Sequence, residues 1–166
     1  MTNDNSNDPQ LSSSPCMANE ADPGYHGFLS DAEIVAFLQS LLHAERAGTK
    51  VCLISRKQAP TNEHKNILQD ILEDEQKSCD DLISSLKLMN TSADNIIGDF
   101  ADKCLAIENF VDRLQFLNRG QAWVVRKIEE NIARIAHPNV QAQLRVMLEA
   151  HRENIDKLDR FLAETF

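Results

Sequence analysis

Four polar residues break the apolar stripes of this sequence, and their types point to metal chemistry. Glu45 falls in the series Ile34, Leu38, Leu41, Glu45, Gly48, Cys52. Its steps alternate between four and three residues, the period of one helix face. Glu75 interrupts Leu68, Ile71 with Leu72, Cys79, Leu82, Leu86 and Met89 in the same way. His151 sits among Leu144, Met147, Leu148, Ile155, Leu158 and Leu162. Glu108 stands beside Ile107 and one turn after Cys104, toward the flank of a stripe that runs from Phe100 to Leu114. Burying an unpaired carboxylate costs several kcal/mol or more, so such groups must be paired, protonated or metal-bound.

Height along the helices supports one shared layer. The four residues lie about 10 to 14 positions into their expected helices, which at 1.5 Å per residue is a depth of roughly 15–21 Å. Each is near mid-helix, so they meet at a similar level whichever way the helices run. Three carboxylates and one imidazole converging in a helical core suit iron or manganese. The competing reading is a structural polar layer, with the acids paired to Arg46, Arg113, Arg126 or Arg152.

The elements that must position these residues are helical. Ser30-Asp31-Ala32-Glu33 is a capping box, and it predicts a first helix over about 31–57. Pro60 ends that region and Thr61 can cap the next. A second helix follows over about 62–89, with a loop at Asn90–Asn95. A third is expected over about 98–134, with a bend near Gly120. His137-Pro138-Asn139 reads as a turn before a fourth helix over about 139–164. No segment alternates with period two, so the fold expected is all-α, a four-helix bundle in which each helix hides one stripe. Residues 1–29, rich in Asn, Asp, Ser and Pro, are expected to form a disordered acidic tail ahead of a bundle domain over 30–166.

Composition excludes other classes. The net charge of −9 disfavours nucleic acid as a partner. No run of 18 apolar residues exists to span a membrane. Cys16, Cys52, Cys79 and Cys104 form no C-x-x-C pair. With no signal-peptide pattern at the N-terminus, a reduced, cytoplasmic protein is expected. Cys52, Cys79 and Cys104 read as packing residues and Trp123 as a packing aromatic. Hydrolase and nucleotide-binding motifs are not found.

The segments Leu42-His43-Ala44-Glu45-Arg46-Ala47-Gly48, Glu73-Asp74-Glu75, Leu117 to Lys127 and Met147-Leu148-Glu149-Ala150-His151 resemble the ferritin-like superfamily. The resemblance is closer still to an uncharacterised bacterial branch of it, and it covers about residues 31–164. It implies a four-helix bundle, often with a long crossover between helices 2 and 3, that binds iron or manganese and performs oxygen or peroxide chemistry. A homo-oligomer is the partner it implies. The superfamily's six-ligand pattern is only partly filled: Glu45, Glu75, Glu108 and His151 match, while Ser78 replaces a His and Leu148 a Glu. One ion, a loosely held pair or no metal remain open. The alternative to a metal protein is a metal-free helical module whose Asn118–Lys127 surface meets a partner or a second copy.

Overall fold

A computed structural model describes residues 27–164. These residues form α1 (Asp31–Gln58), α2 (Asn62–Leu88), a short α3 (Phe100–Leu105), α4 (Phe110–Asn131), a 3-10 turn (Ile132–Arg134) and α5 (Pro138–Glu164), with no strand among them. None of the helices is long and apolar enough to cross a membrane.

Side-chain caps set the helix starts. The Ser30 hydroxyl accepts from the Glu33 amide at 3.2 Å, and the Glu33 carboxylate accepts from the Ser30 amide at 2.8 Å. Thr61 caps α2 through the His64 amide at 3.4 Å. Pro138 opens α5, where its missing N–H costs nothing.

The expected third helix is two helices. Residues 106–109 leave the helical path because Asn109 starts a new one: its side-chain carbonyl accepts from the Asp112 amide at 3.0 Å. Arg113 Nε then donates to the free carbonyl of Ile107 at 2.9 Å. The helix α4 runs unbroken through Gly120. A Cβ there would lie 2.5 Å from the Phe100 ring, so glycine lets α3 press against α4. The Leu29 amide donates to the Arg134 carbonyl at 2.8 Å, and the Leu29 side chain is buried. Of the expected tail, residues 1–26 lie outside the described residues.

The four long helices close a ring of neighbours, α1 to α2 to α5 to α4 and back to α1. Contacts between ends give the directions. Arg113 at the start of α4 donates to Gln58 at the end of α1. His64 at the start of α2 and Phe161 near the end of α5 meet edge to face at 4.8 Å. Asn118 early in α4 donates to Asp159 late in α5 at 2.7 Å. So α1 and α5 run one way, and α2 and α4 the other.

Parallel α2 and α4 need a connection that travels the length of α1. Residues 89–109, with α3 inside them, supply it. Gln39 donates to the Ser92 carbonyl at 3.1 Å, His43 meets Asp94 at 2.7 Å, Arg46 donates to the Ile96 carbonyl at 3.2 Å, and Lys50 reaches Asp102 at 2.9 Å. From Gln39 to Lys50 is roughly 16 Å of helix. Gly98 lies closest, its amide donating to the His43 carbonyl at 2.9 Å; a Cβ there would meet that oxygen at 3.0 Å.

Two apolar clusters fill the interior. One holds Leu38, Leu41, Leu86, Ile128 and Leu144, near the start of α1. The other holds Val51, Leu68, Ile71, Leu114 and Leu158, toward its end. Between the two clusters every long helix carries a buried polar residue, Glu45, Glu75, Gln121 and His151, with Ser78, Asn118 and Asn154 also buried one turn away on their helices.

If Asn109 is what breaks the third helical segment, Asn109→Ala should destabilise the protein by about 1 kcal/mol, the usual worth of such a cap. Denaturant titration should show a lower midpoint at unchanged slope.

Candidate metal centre

One donor atom from each of Glu45, Glu75 and His151 lies within 4.8 Å of the other two. They come from α1, α2 and α5, the three helices whose stripes they interrupt. All three are buried; Glu45 is fully so. Two donors on one ion, each about 2.0–2.2 Å from it, lie at most about 4.4 Å apart. The group therefore lies close to the spacing that a shared ion requires.

Their unused valences are the informative part. Neither Glu45 oxygen has a hydrogen-bond donor, and neither does His151 Nε2 have a well-aligned partner. His151 Nε2 lies 3.1 Å from Glu45 Oε1, close enough for attraction but poorly directed for a hydrogen bond. The other ring nitrogen is committed, since Nδ1 lies 2.9 Å from the Met147 carbonyl and donates to it. That bond turns Nε2 toward the carboxylates, the usual orientation of a ligating histidine. Gly48, one turn after Glu45, leaves the space the Glu75 carboxylate fills. A Cβ at Gly48 would lie 2.5 Å from Glu75 Oε2.

No arginine closes this layer. Arg46 binds Asp94 and the Ile96 carbonyl. Arg113 binds Gln58 and Ile107. Arg152 lies at the surface between Glu129 and Glu149, and Arg126 is exposed. The arginine-paired reading of the acids fails on all four residues it invoked. Neutralisation then falls to protons or to a cation. Burial, then the neighbouring Glu45 carboxylate, then Asp74, push the Glu75 carboxyl well above the ordinary carboxylate range. For His151, burial opposes the charged form, but Glu45 and the Met147 carbonyl outweigh it and the net shift is upward.

Glu108 is not part of the group. It is exposed, in the link between α3 and α4, one residue before the Asn109 cap. Its assignment assumed one continuous third helix; the break puts it at the end of the molecule instead of the middle. What α4 brings to the layer is Gln121, which sequence reasoning missed. Its side chain is 2% exposed and both amide atoms lack partners. The signal was present: Leu114, Leu117, Gln121, Val124 and Ile128 form an apolar stripe with one polar break. Ser78, at the position of the absent histidine, is also buried.

The three cysteines among the described residues are held as thiols. Burial, followed by the charge of Glu75, raises the Cys52 thiol well above its usual value. Burial raises Cys79 to about 12 and Cys104 to about 11. None offers a thiolate at neutral pH. A cavity of about 440 Å³ runs in from the surface between α1 and α4 and reaches Glu45, Gly48, Glu75 and Gln121.

The raised carboxyl and imidazole make a signed prediction for chelator-treated protein. Above pH ~4.5 for Glu75 and ~6.5 for His151, the folded chain holds protons that the unfolded chain releases. Stability should therefore fall as pH rises from 6 to 8. Thermal melts should show a lower midpoint at pH 8, and Glu75→Gln, which keeps the shape without the charge, should flatten the trend.

No curated protein and no solved structure matches the chain. Residues 32–160, which carry all three donors and Gln121, match the family model described as a domain of unknown function (DUF6306), and the chain belongs to that family.

Proposed function

We propose that this chain is a ferritin-like four-helix bundle that holds one iron or manganese ion on Glu45, Glu75 and His151. The observation that carries the reading is the buried group itself. Two carboxylates and an imidazole face one another, both Glu45 oxygens and His151 Nε2 lack a hydrogen-bond partner, and no arginine or lysine among the described residues pairs with the acids. The donor set of two oxygens and one nitrogen suits iron or manganese, and the absence of a thiolate from the set argues against copper(I) or an iron–sulfur cluster. The long connection along α1, with α1 parallel to α5 and α2 to α4, supports the ferritin-like reading of the bundle.

Within this centre each residue has a separate task. Glu45 sits deepest and its two free oxygens supply most of the negative charge. Glu75, beside the cavity, gives up its raised proton when a cation arrives, so binding releases a proton. His151 is held in one tautomer by Met147 and gives the nitrogen ligand. Gln121 lines the cavity next to the acids and can hydrogen-bond a molecule that enters it. When bound, the metal would supply oxygen or peroxide chemistry. Three protein ligands leave coordination positions open on the cavity side.

The test is a thermal melt with and without excess Fe²⁺ or Mn²⁺. At a hundredfold excess over Kd a single site stabilises by about 2.7 kcal/mol, which is a rise of roughly 5–11 °C for a chain of this size. His151→Ala should abolish the rise. Gly48→Ala separates site from scaffold. Alanine favours the helix by roughly 1 kcal/mol over glycine, so the metal-free variant should melt no lower than the parent. Its Cβ displaces the Glu75 carboxylate, so the rise with metal should shrink. A parent protein whose melting ignores both metals supports a metal-free module instead, its acids neutralised by protons.

A further inference from the structure

The cavity beside the acids is larger than dioxygen or peroxide requires. Its volume of about 440 Å³ lies in the range of roughly 300–1,000 Å³ typical of small-molecule pockets. A water-sized molecule takes about 30 Å³, so an oxidant alone would fill a small part of it. The walls are mostly apolar: Leu117 and Val124 from α4, with Phe100 and Phe116 stacked at a centroid distance of 5.0 Å. Trp123, partly exposed, stands at the mouth.

The two ends of the cavity differ in charge. The inner end is acidic, with Glu45 and Glu75. The outer end carries Arg119 and Arg126, seven residues apart on α4 and therefore on the same face. Both are exposed, and neither has an ion-pair partner among the described residues. Arg119 rests over the Phe116 ring at 5.1 Å. The mouth's own acid, Asp99, is already paired with Lys103 at 2.6 Å. In a chain of net charge −9, two uncompensated guanidinium groups at the rim of an apolar pocket select for an anion.

We propose that this cavity binds a small organic acid. Its apolar body lies against Phe100, Phe116 and Trp123, and its carboxylate stays at the mouth with Arg119 and Arg126. The two guanidinium groups at the mouth hold the charged end and so fix the orientation, apolar end inward. The binding stands independently of the metal; it rests on the proposed centre only for its meaning, which is that the body of the molecule is presented to that centre as substrate.

The experiment uses full-length protein with 3-phenylpropanoate as probe and 3-phenylpropan-1-ol, which has the same body without the charge, as control. Trp123 is the only tryptophan, so its fluorescence, excited at the red edge, reports from the mouth, and calorimetry gives the affinity. The acid should bind saturably and at least tenfold more tightly than the alcohol. The double variant Arg119→Gln, Arg126→Gln should lower acid affinity to that of the alcohol, while its metal content and melting temperature stay at the parent's values. Chelator-treated protein should bind the acid as the parent does, so failure of the metal reading would leave this result intact. Equal binding of acid and alcohol, an unchanged double variant, or no saturable signal would each overturn the proposal.

Discussion

The structure turns on two carboxylates buried together beside one imidazole, with no arginine or lysine among the described residues paired to either. Glu45 and Glu75 repel each other, and burial strengthens that repulsion. Leucines at these positions would pack without that cost, and replacing buried ionic groups with apolar ones is often neutral or stabilising. The surroundings accommodate the pair at several points. Gly48 yields the space of a side chain to the Glu75 carboxylate, Met147 fixes the His151 ring, and the apolar core is divided into two clusters above and below. A cation at this level would relieve the repulsion and take one donor atom from each of Glu45, Glu75 and His151. A proton relieves only part of it.

The helix arrangement follows from the same layer. Each of the four long helices brings a buried polar residue to mid-length, and Glu45, Glu75, Gln121 and His151 share a level only if every helix spans the whole body. Running α2 and α4 in the same direction obliges the chain to return along α1. The Asp94 carboxylate, held below the usual range by the Ile96 amide and then by His43, pins that return strand to the outside of α1. The short α3 then fills the gap between α1 and α4 at one end. It leaves the cavity open at the level of the acids, so the buried layer keeps one approach from the surface.

Much of this was legible in the sequence because helical periodicity is a local signal. Glu45, Glu75 and His151 were recognisable as breaks in stripes of regular step, and the caps at Ser30 and Thr61 marked helix starts. Glu108 misled for a physical reason. The step pattern continues through residues 104–111, but Asn109 competes for the backbone amides and starts a new helix. Periodicity does not register that competition. Gln121 was overlooked because a neutral amide in a stripe looks less anomalous than a charge. The destinations of Arg46, Arg113 and Arg152 depend on partners far off in sequence or on the other side of a helix. They could be seen only in three dimensions, as could the glycine cradles at Gly48 and Gly120.

The most direct measurement of the central claim is the anomalous scattering of a crystal grown with Mn²⁺. The account predicts one strong peak per chain, at about 2.0–2.2 Å from a Glu45 oxygen, a Glu75 oxygen and His151 Nε2. A crystal in which that position shows no peak at saturating Mn²⁺, with the two carboxyl groups sharing a proton, would contradict it.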